Sequence, residues 1–414
     1  MNRLATNRRC LSPRESRRGS VSGALVVGLV VGIGLMAISL NVGQVYQTRD
    51  QLKLACEAAA LAGAAELLDE SKVYGVEDQQ TDYLAARLAA QTIAGRHLIH
   101  GQPLSLDANV GNDPAGDILI GHTPSPGAMF QPVLPHDGRG RCNAIVVSAY
   151  RHANRGNAAG MWFGHLFGSP TANISCSAQA CIDHRVIGFR PKGATAAPVL
   201  PILLEGKSWH DQRQGARTQW NDRFTINYQT NEHREGADGV IELEFRCPLG
   251  ESGASASSAA SGTQAQHGRC ALFVTGGNHA DTQVVYRQCQ TGFVQNELQP
   301  WNGQLVIPRE GELNVTALEN AEQYYSDSLW AIRGQRRVFP LCVPYEQAGQ
   351  GGRWAITEFV AGVVVDSYVD FSQSPRQLVV CVQPGVIATS TAVTDPSAAE
   401  HPSIAKLLLT HSSN

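Results

Sequence analysis

An apolar run near the start of the chain constrains everything that follows it. No charged residue lies between Val21 and Val42, and a helix of this length rises about 33 Å, enough to cross a hydrocarbon core of about 30 Å. The residues before the run carry a strong excess of arginine: Arg3, Arg8, Arg9, Arg14, Arg17 and Arg18, against the single acid Glu15. By the positive-inside rule, this asymmetry predicts a cytoplasmic tail at residues 1–20, a single-pass anchor at residues 21–42 and an exported remainder.

The alternative is a cleaved signal peptide followed by a soluble helix. The apolar cores of signal peptides are typically about 7–15 residues long and end in a small-residue cleavage site. This run is longer, and its nearest small-residue site, Ala37-Ile38-Ser39, lies inside the apolar stretch. The sequence therefore favours a retained anchor that keeps the chain in the lipid bilayer.

A helical neck follows the anchor, because no proline interrupts Gln44 to Leu68. A second helix is predicted at residues 82–97 and should fold back on the neck, giving a helical hairpin over residues 43–100. Two features indicate a possible face for helix association. Apolar and small residues recur along the neck at spacings of three and four, and two glycines of the span have the Gly-x-x-x-Gly spacing that lets helices approach closely. The residues of this predicted association face are Gly28, Gly32, Leu54, Ala58, Leu61, Ala65 and Leu68.

Three motifs follow one another through this N-terminal region. They are Arg-Arg-Gly at residues 17–19, Asn-Val-Gly-x-Val-Tyr at residues 41–46, and Gln-Leu-x-x-Ala-Cys-Glu-Ala-Ala-Ala-Leu-Ala-Gly-Ala at residues 51–64. Over residues 17–68 the chain resembles the N-terminal module of TadE/TadG-like pilus-assembly proteins. It departs from the family pattern at Asn41, where an acid is common, and at Cys56-Glu57, where a small residue and an aspartate are usual. The resemblance implies a component of a bacterial Flp-type pilus system, with other membrane proteins of that system as partners.

The exported part has a strand-rich pattern. From Gly101 onward, short apolar runs alternate with Gly, Pro, Asn and Asp, which predicts many short strands and few helices. We therefore expect an α+β protein whose exported domain is mainly antiparallel. Its predicted parts are a proximal region at residues 101–191, a distal domain at residues 198–387 with a solvated loop at 249–268, and a polar tail at residues 388–414.

Cysteine usage agrees with export. Eight cysteines lie in the outer part of the chain, and an even number in an oxidising compartment suggests disulfides. We expect Cys247 to pair with Cys270 across the solvated loop, and Cys342 to pair with Cys381 between two apolar runs. No Cys-x-x-Cys pair occurs and the histidine spacing does not fit a zinc site, so metal binding is the weaker interpretation.

The sequence offers little evidence for catalysis or for nucleic-acid binding. Charged residues make up 17% of the chain and the formal net charge is −3, which implies no attraction to nucleic acid. The sequence contains no nucleophile elbow, phosphate loop or zinc-protease motif, and we predict no cofactor. Asp370-x-Ser372-x-Ser374 matches a cation-binding adhesion motif, but Pro375 and a strand follow it where a helix should begin, so we interpret it as a turn.

The leading interpretation is a non-enzymatic protein of the bacterial inner membrane that takes part in Flp-type pilus assembly or surface adherence, with its C-terminal domain in the periplasm. One alternative is a membrane-tethered adhesin or carbohydrate-binding module, which would show an exposed aromatic groove on the distal domain. A second alternative is an anchored exported enzyme, which would show a pocket holding two or more titratable groups with perturbed pKa values.

Overall fold

The computed structural model describes residues 20–68, 79–133, 142–215, 222–227, 232–249, 267–273, 275, 282–309, 311–318, 324–344, 353–372, 374–401 and 403–413. The α-helices within these residues are α1 Ser20–Ala65, α2 Gln79–Arg96, α3 Gly206–Gly215, α4 Thr282–Thr291 and α5 Tyr324–Trp330. The strands of the N-terminal half are β1 Leu98–Ile99, β2 Gln102–Pro103, β3 Ile118–His122, β4 Gln131–Pro132, β5 Ala144–Arg151, β6 Ala159–Gly160, β7 Thr171–Ala172, β8 Ile174–Asp183 and β9 Val186–Phe189.

Strands continue to the C-terminal end of the described chain. They are β10 Ile202–Glu205, β11 Phe224–Asn227, β12 Glu232–Glu235, β13 Leu243–Pro248, β14 Gly268–Phe273, β15 Leu305–Val306, β16 Leu313–Leu318, β17 Arg336–Pro344, β18 Arg353–Asp370, β19 Gln377–Pro384, β20 Ile387–Thr389, β21 Ala392–Thr394 and β22 Ile404–Ser413. One long N-terminal helix followed by a mostly antiparallel, strand-rich body confirms the predicted α+β class.

Helix α1 is continuous over 46 residues, which corresponds to about 69 Å at 1.5 Å per residue. Its first half is apolar and exposed: the side chains of Leu25, Val30 and Leu35 are 68%, 63% and 61% exposed. Its second half is rich in alanine, the strongest helix former, and contributes fully buried residues such as Leu52 and Ala59 to the protein core. The same helix therefore has a lipid-compatible lower half and a protein-packed upper half.

Helix α2 packs antiparallel to the neck part of α1. Gly63, near the end of α1, lies against Ala86 and Ala90 of α2, whereas Thr48, earlier in α1, contacts His100 beyond the end of α2. Arg87 links this hairpin to the start of β3 and to the loop before it. Its buried guanidinium donates hydrogen bonds to the carbonyl oxygens of residues 108 and 118 at 2.7 and 3.0 Å.

The neck lies on one face of a six-stranded sheet in the proximal region. The strand order is β20-β22-β8-β5-β3-β4, and α1 contacts β8, β5 and β22. Side chains alternate between the two faces of a strand, and the face toward α1 is apolar. Its residues join the alanines of the neck in one core cluster: Ile145, Val147 and Ala149 of β5 with Cys176, Ala178 and Ala180 of β8.

The C-terminal segment differs from the polar tail predicted for residues 388–414. Strand β22 pairs antiparallel with β8, with Lys406 opposite Asp183, and β20 pairs parallel with β22. Ile404 and Ala405 are fully buried. Strand β22 is therefore an inner strand of the proximal sheet, between β20 and β8. It forms because β8 has backbone groups on that side that the apolar run at residues 404–409 can pair with.

The distal domain is a closed ring of six strands. Hydrogen-bonded neighbours run β10–β17–β18–β19–β13–β14 and return from β14 to β10, with β16 bridging β18 and β14. One apolar cluster takes residues from every strand of the ring: Ile202, Leu341, Val364, Val380, Phe245 and Leu272. This cluster therefore fills the interior, and each strand of the ring has a hydrogen-bonded neighbour on both sides within the described residues.

Replacing Gly63 with alanine tests the close packing of the neck. A Cβ atom at this position would lie 2.6 Å from Ile145 Cδ1 and 2.9 Å from the carbonyl oxygen of Ala86, so we expect Gly63→Ala to lower the free energy of unfolding by about 1–3 kcal/mol. Urea unfolding of the full chain in detergent measures the change.

The matched control is Gly95→Ala in α2. A Cβ atom at Gly95 would have no neighbour within 4 Å, so the substitution should be neutral or stabilise the helix by up to about 1 kcal/mol. Equal stability of Gly63→Ala and wild type would contradict the described packing of α1 between α2 and the sheet.

Candidate interaction sites on the anchor helix and the exported body

The membrane-level half of α1 leaves two of the predicted face residues open. Nothing within the described structure lies within 4 Å of a Cβ atom built on Gly28 or Gly32. The two glycines are one helical turn apart and lie on the same side of α1. The structure thus has a smooth, unoccupied strip on the part of α1 that is long and apolar enough to cross a membrane.

The neck uses only part of the predicted packing face inside the molecule. Its buried residues are Leu52, Ala55, Cys56, Ala59, Ala60, Ala64, Leu67 and Leu68, and the partly buried Leu61 packs against them. Of the predicted face, Leu54 is 61% exposed, Ala58, Leu61 and Ala65 are half-buried, and Leu68 is buried. Of the five neck residues of the predicted face, Leu54 is thus exposed and the other four are half-buried or buried, and association of this face with another helix stays a prediction.

Buried polar side chains hold the body at the point where the apolar run ends. Asn41 and Gln44 are 7% and 8% exposed. The Asn41 Oδ1 atom accepts a hydrogen bond from the Phe163 N–H at 3.0 Å. The Gln44 side chain accepts from the Trp162 N–H at 3.1 Å and donates to the Gly160 carbonyl at 2.7 Å. These bonds join α1 to the hairpin formed by β6 and β7. The sequence did not predict this contact, because the bonded residues are more than 110 positions apart.

The nine described cysteines are buried, and none of them forms a disulfide bond in the described structure. Cys247 and Cys270 lie on neighbouring strands, since Arg246 is opposite Arg269 in the parallel pair β13–β14, and their side chains are hydrogen-bonded to each other. The predicted pairing of Cys342 with Cys381 is wrong. Strand β18 separates their strands, with Cys342 opposite Ile356 and Cys381 opposite Asp366.

A second thiol contact joins the neck to the sheet. The Cys56 thiol donates to the carbonyl oxygen of Cys176 at 3.6 Å. Contact with the Cys56 thiol lowers the pKa of the Cys176 thiol. Sequence reasoning missed the contact because nothing in the spacing of the cysteines indicates which strand faces Cys56.

A cleft of about 230 Å³ bears on the enzyme alternative. It lies near the ends of β3 and β8, and its lining includes Cys142, Cys181, Asp183 and Arg185. Burial raises the pKa of Cys142 and raises that of Cys181 to about 11. Burial alone would also raise the pKa of Asp183, but hydrogen bonds from Arg185 at 2.8 and 3.0 Å lower it.

The cleft thus meets the criterion given for the enzyme alternative, because it holds two or more titratable groups with perturbed pKa values. Their chemistry does not favour catalysis, however. Thiols with raised pKa values stay protonated near neutral pH and are poor nucleophiles. The Asp183 carboxylate, bound by the Arg185 guanidinium, is a stable ion pair rather than a free base. His122, His184 and Glu400 also line the cleft, so the enzyme alternative stays an untested hypothesis.

The distal tryptophans bear on the adhesin alternative. Trp209 and Trp354 are each 1% exposed, and Trp209 stacks on Phe245 in the ring interior. Trp301 is half-buried and packs edge-on against Phe273, and Trp330 lies on α5, 49% exposed. Trp220 lies outside the described residues. The described distal tryptophans therefore serve mainly as core and do not form an aromatic groove.

Asp370 stabilises a turn, which is the interpretation that Pro375 and the following strand favoured. Its Oδ1 atom accepts hydrogen bonds from the backbone N–H and the hydroxyl of Ser372 at 2.9 and 2.6 Å, and its Oδ2 atom lies 3.3 Å from Arg246 Nη1. Within the described chain, no group of three or more His, Cys, Asp or Glu residues is arranged to hold a metal ion.

The thiol contacts predict which cysteines become oxidised in an oxidising compartment. If the body lies in such a compartment, we expect Cys247–Cys270 and Cys56–Cys176 disulfides, and free thiols at Cys342 and Cys289. Non-reducing peptide mapping after alkylation in denaturant measures this. Cys270→Ser should free Cys247 for alkylation, whereas Cys342→Ser should free no other cysteine, and a peptide joining Cys342 to Cys381 would contradict the strand order.

Searches of curated proteins and of solved structures found no match to this chain. A family comparison did find one: residues 19–66 match the model of a family described as putative Flp pilus-assembly TadE/G-like. The matched segment ends one residue after α1 and coincides with the anchor and neck. The N-terminal segment of this chain, comprising the apolar span and the neck helix, is therefore similar to the TadE/G-like family over residues 19–66.

Proposed function

We propose that this protein is a non-enzymatic, single-pass component of the bacterial inner membrane that takes part in the assembly of Flp-type pili. The single observation that carries the proposal is the coincidence of the TadE/G-like match at residues 19–66 with one continuous helix, Ser20–Ala65. The segment that is similar to a pilus-assembly protein is thus almost the same segment as helix α1. It spans from the proposed membrane anchor into the core of the exported body.

The mechanism follows from the continuity of that helix. Because the neck is packed between α2 and the proximal sheet, the body cannot turn freely about the anchor. Arginines at the N-terminal end of the span favour a cytoplasmic N-terminus and a periplasmic body. A partner that binds the span would thereby fix the orientation of the distal ring, and the protein would act by positioning surfaces rather than by turning over a substrate.

The face that we propose for association begins at the open glycines of the span. Gly28 and Gly32 are free of neighbours within the described structure, and small residues at this spacing let two helices in lipid approach closely. Exposed Leu54 lies about six turns above Gly32 on nearly the same side of a straight helix. We propose that the span and neck contact another pilus-assembly membrane protein, or a second copy of this chain, along this side.

Deletion and complementation in the source bacterium test the function. We expect the deletion strain to lose surface pili, as counted by electron microscopy, and the wild-type chain to restore them. A Gly28→Leu/Gly32→Leu chain should reach the membrane at normal levels but fail to restore pili, because leucine keeps the helices apart. Normal piliation of the deletion strain would contradict the proposed function.

The matched control is Gly34→Leu, which adds the same side chain on nearly the opposite side of the span. A Cβ atom at Gly34 also has no neighbour within 4 Å, so this variant should restore pili. If the double variant restored pili as well as Gly34→Leu, the function would stand, but the glycine face would not be the contact.

A further inference from the structure

A loop of the proximal region presents large apolar side chains to the outside. It comprises residues 161–170, called here the aromatic loop, and connects the paired strands β6 and β7. Trp162 and Leu166 are each 69% exposed, Phe167 is 47% exposed and Phe163 is 37% exposed. No Asp, Glu, Lys or Arg occurs between Gly156 and Ile182, so no charge within this stretch accompanies the apolar side chains.

The loop backbone holds these side chains outward. Two backbone hydrogen bonds hold the loop closed. The Met161 N–H donates to the Pro170 carbonyl oxygen at 2.9 Å, and the Ser169 N–H donates to the Gly164 carbonyl oxygen at 3.0 Å. Gly168 has a φ of 71°, a conformation that favours glycine. A Cβ atom at Gly164 would lie 2.2 Å from the Ser169 carbonyl oxygen. The tight turn therefore fixes the loop, and its apolar side chains are exposed in the folded state.

The position of the loop along α1 is also fixed. The hydrogen bonds from the Phe163 N–H to Asn41 and from the Trp162 N–H to Gln44 place it at the end of the apolar run of the span, near Val42. Ala37, one turn farther down the span, is only 3% exposed, so the body covers this side of α1 below Asn41. The exposed aromatic side chains thus lie at the height of the boundary between lipid and water.

We propose that the aromatic loop inserts into the interfacial layer of the same membrane that α1 spans, in the leaflet on the side of the body. Trp and Phe are well suited to this layer, because an indole places an apolar ring in the acyl region and its N–H near the headgroups. The loop is continuous with the lipid-exposed surface of the span and carries no charge, which favours lipid over an acidic or basic partner. The loop would act as a second point of attachment and limit the tilt of the body.

Quenching of tryptophan fluorescence by brominated lipids tests this proposal. The full chain is reconstituted into vesicles of phosphatidylcholine and phosphatidylglycerol, with or without bromine near the top of the acyl chains. Helix α1 contains no tryptophan, so any quenching comes from the body. Because one of six tryptophans should reach the lipid, we expect a loss of roughly one sixth of the emission. Either orientation of the chain in the vesicle gives the same result, since the loop stays beside its own span.

Two conservative variants identify the quenched residue. Trp162→Phe should abolish the bromine effect, whereas Trp330→Phe should retain it, because Trp330 is 49% exposed on α5 of the distal domain. Flotation of each variant with the vesicles verifies that the anchor is inserted. Quenching that survives in Trp162→Phe would overturn the proposal, as would equal emission from brominated and plain vesicles. The latter result is expected if the loop instead awaits a protein partner.

The outcome is independent of the pilus function, because the vesicles contain no other protein. A chain that floats and is quenched through Trp162 supports the loop proposal even if the deletion strain is normally piliated. A chain that fails to float would overturn the anchor and the loop proposal together.

Discussion

The structure depends on the packing of one long helix in two different surroundings. The first half of α1 exposes leucine and valine side chains that are stable next to lipid, and the second half exposes few large apolar groups because small residues bring it close to β5, β8 and α2. Each fully buried apolar side chain contributes about 1.5–3 kcal/mol, and alanines add close contact at little cost in side-chain entropy. Without this packing, the span and the body would be joined only by a free helix.

The transition between these surroundings is stabilised by polar groups rather than by apolar ones. Asn41 and Gln44 are buried at the end of the span, and unpaired amides there would destabilise the fold by about 1–3 kcal/mol each. Backbone groups of the aromatic hairpin satisfy them instead. The amide of Asn41 accepts this bond without placing a charge at the end of the apolar run.

Much of the architecture could be predicted from local pattern. The span and the second helix have strong signals, and the helix predicted at residues 82–97 corresponds to α2, Gln79–Arg96. The packing face of the neck could not be predicted in this way. Alanine and other small residues occur on every side of residues 55–65, so spacing alone indicated Leu54 and Leu61, whereas the sheet selects the side that contains Leu52 and Ala59.

The other differences arise from long-range topology. Cys342 and Cys381 lie in apolar runs that look like neighbours, but β18 is long enough to pair with both strands and separates them. The run Ile404–Leu409 could be predicted to dock on the body or to form a short helix, but not to pair with β8, because β8 lies more than 200 residues earlier. The apolar composition of residues 161–167 is visible in the sequence. Their position beside Asn41 is not, since it depends on how the β6–β7 hairpin folds back on α1.

The most direct measurement of the central claim is protease accessibility in intact spheroplasts of a strain that expresses the chain with an N-terminal epitope. If α1 spans the inner membrane and carries the body outside, added protease degrades the body and leaves a short tagged fragment that is protected until the membrane is dissolved. Survival of the full-length body in intact spheroplasts, or loss of the epitope before lysis, would contradict the account.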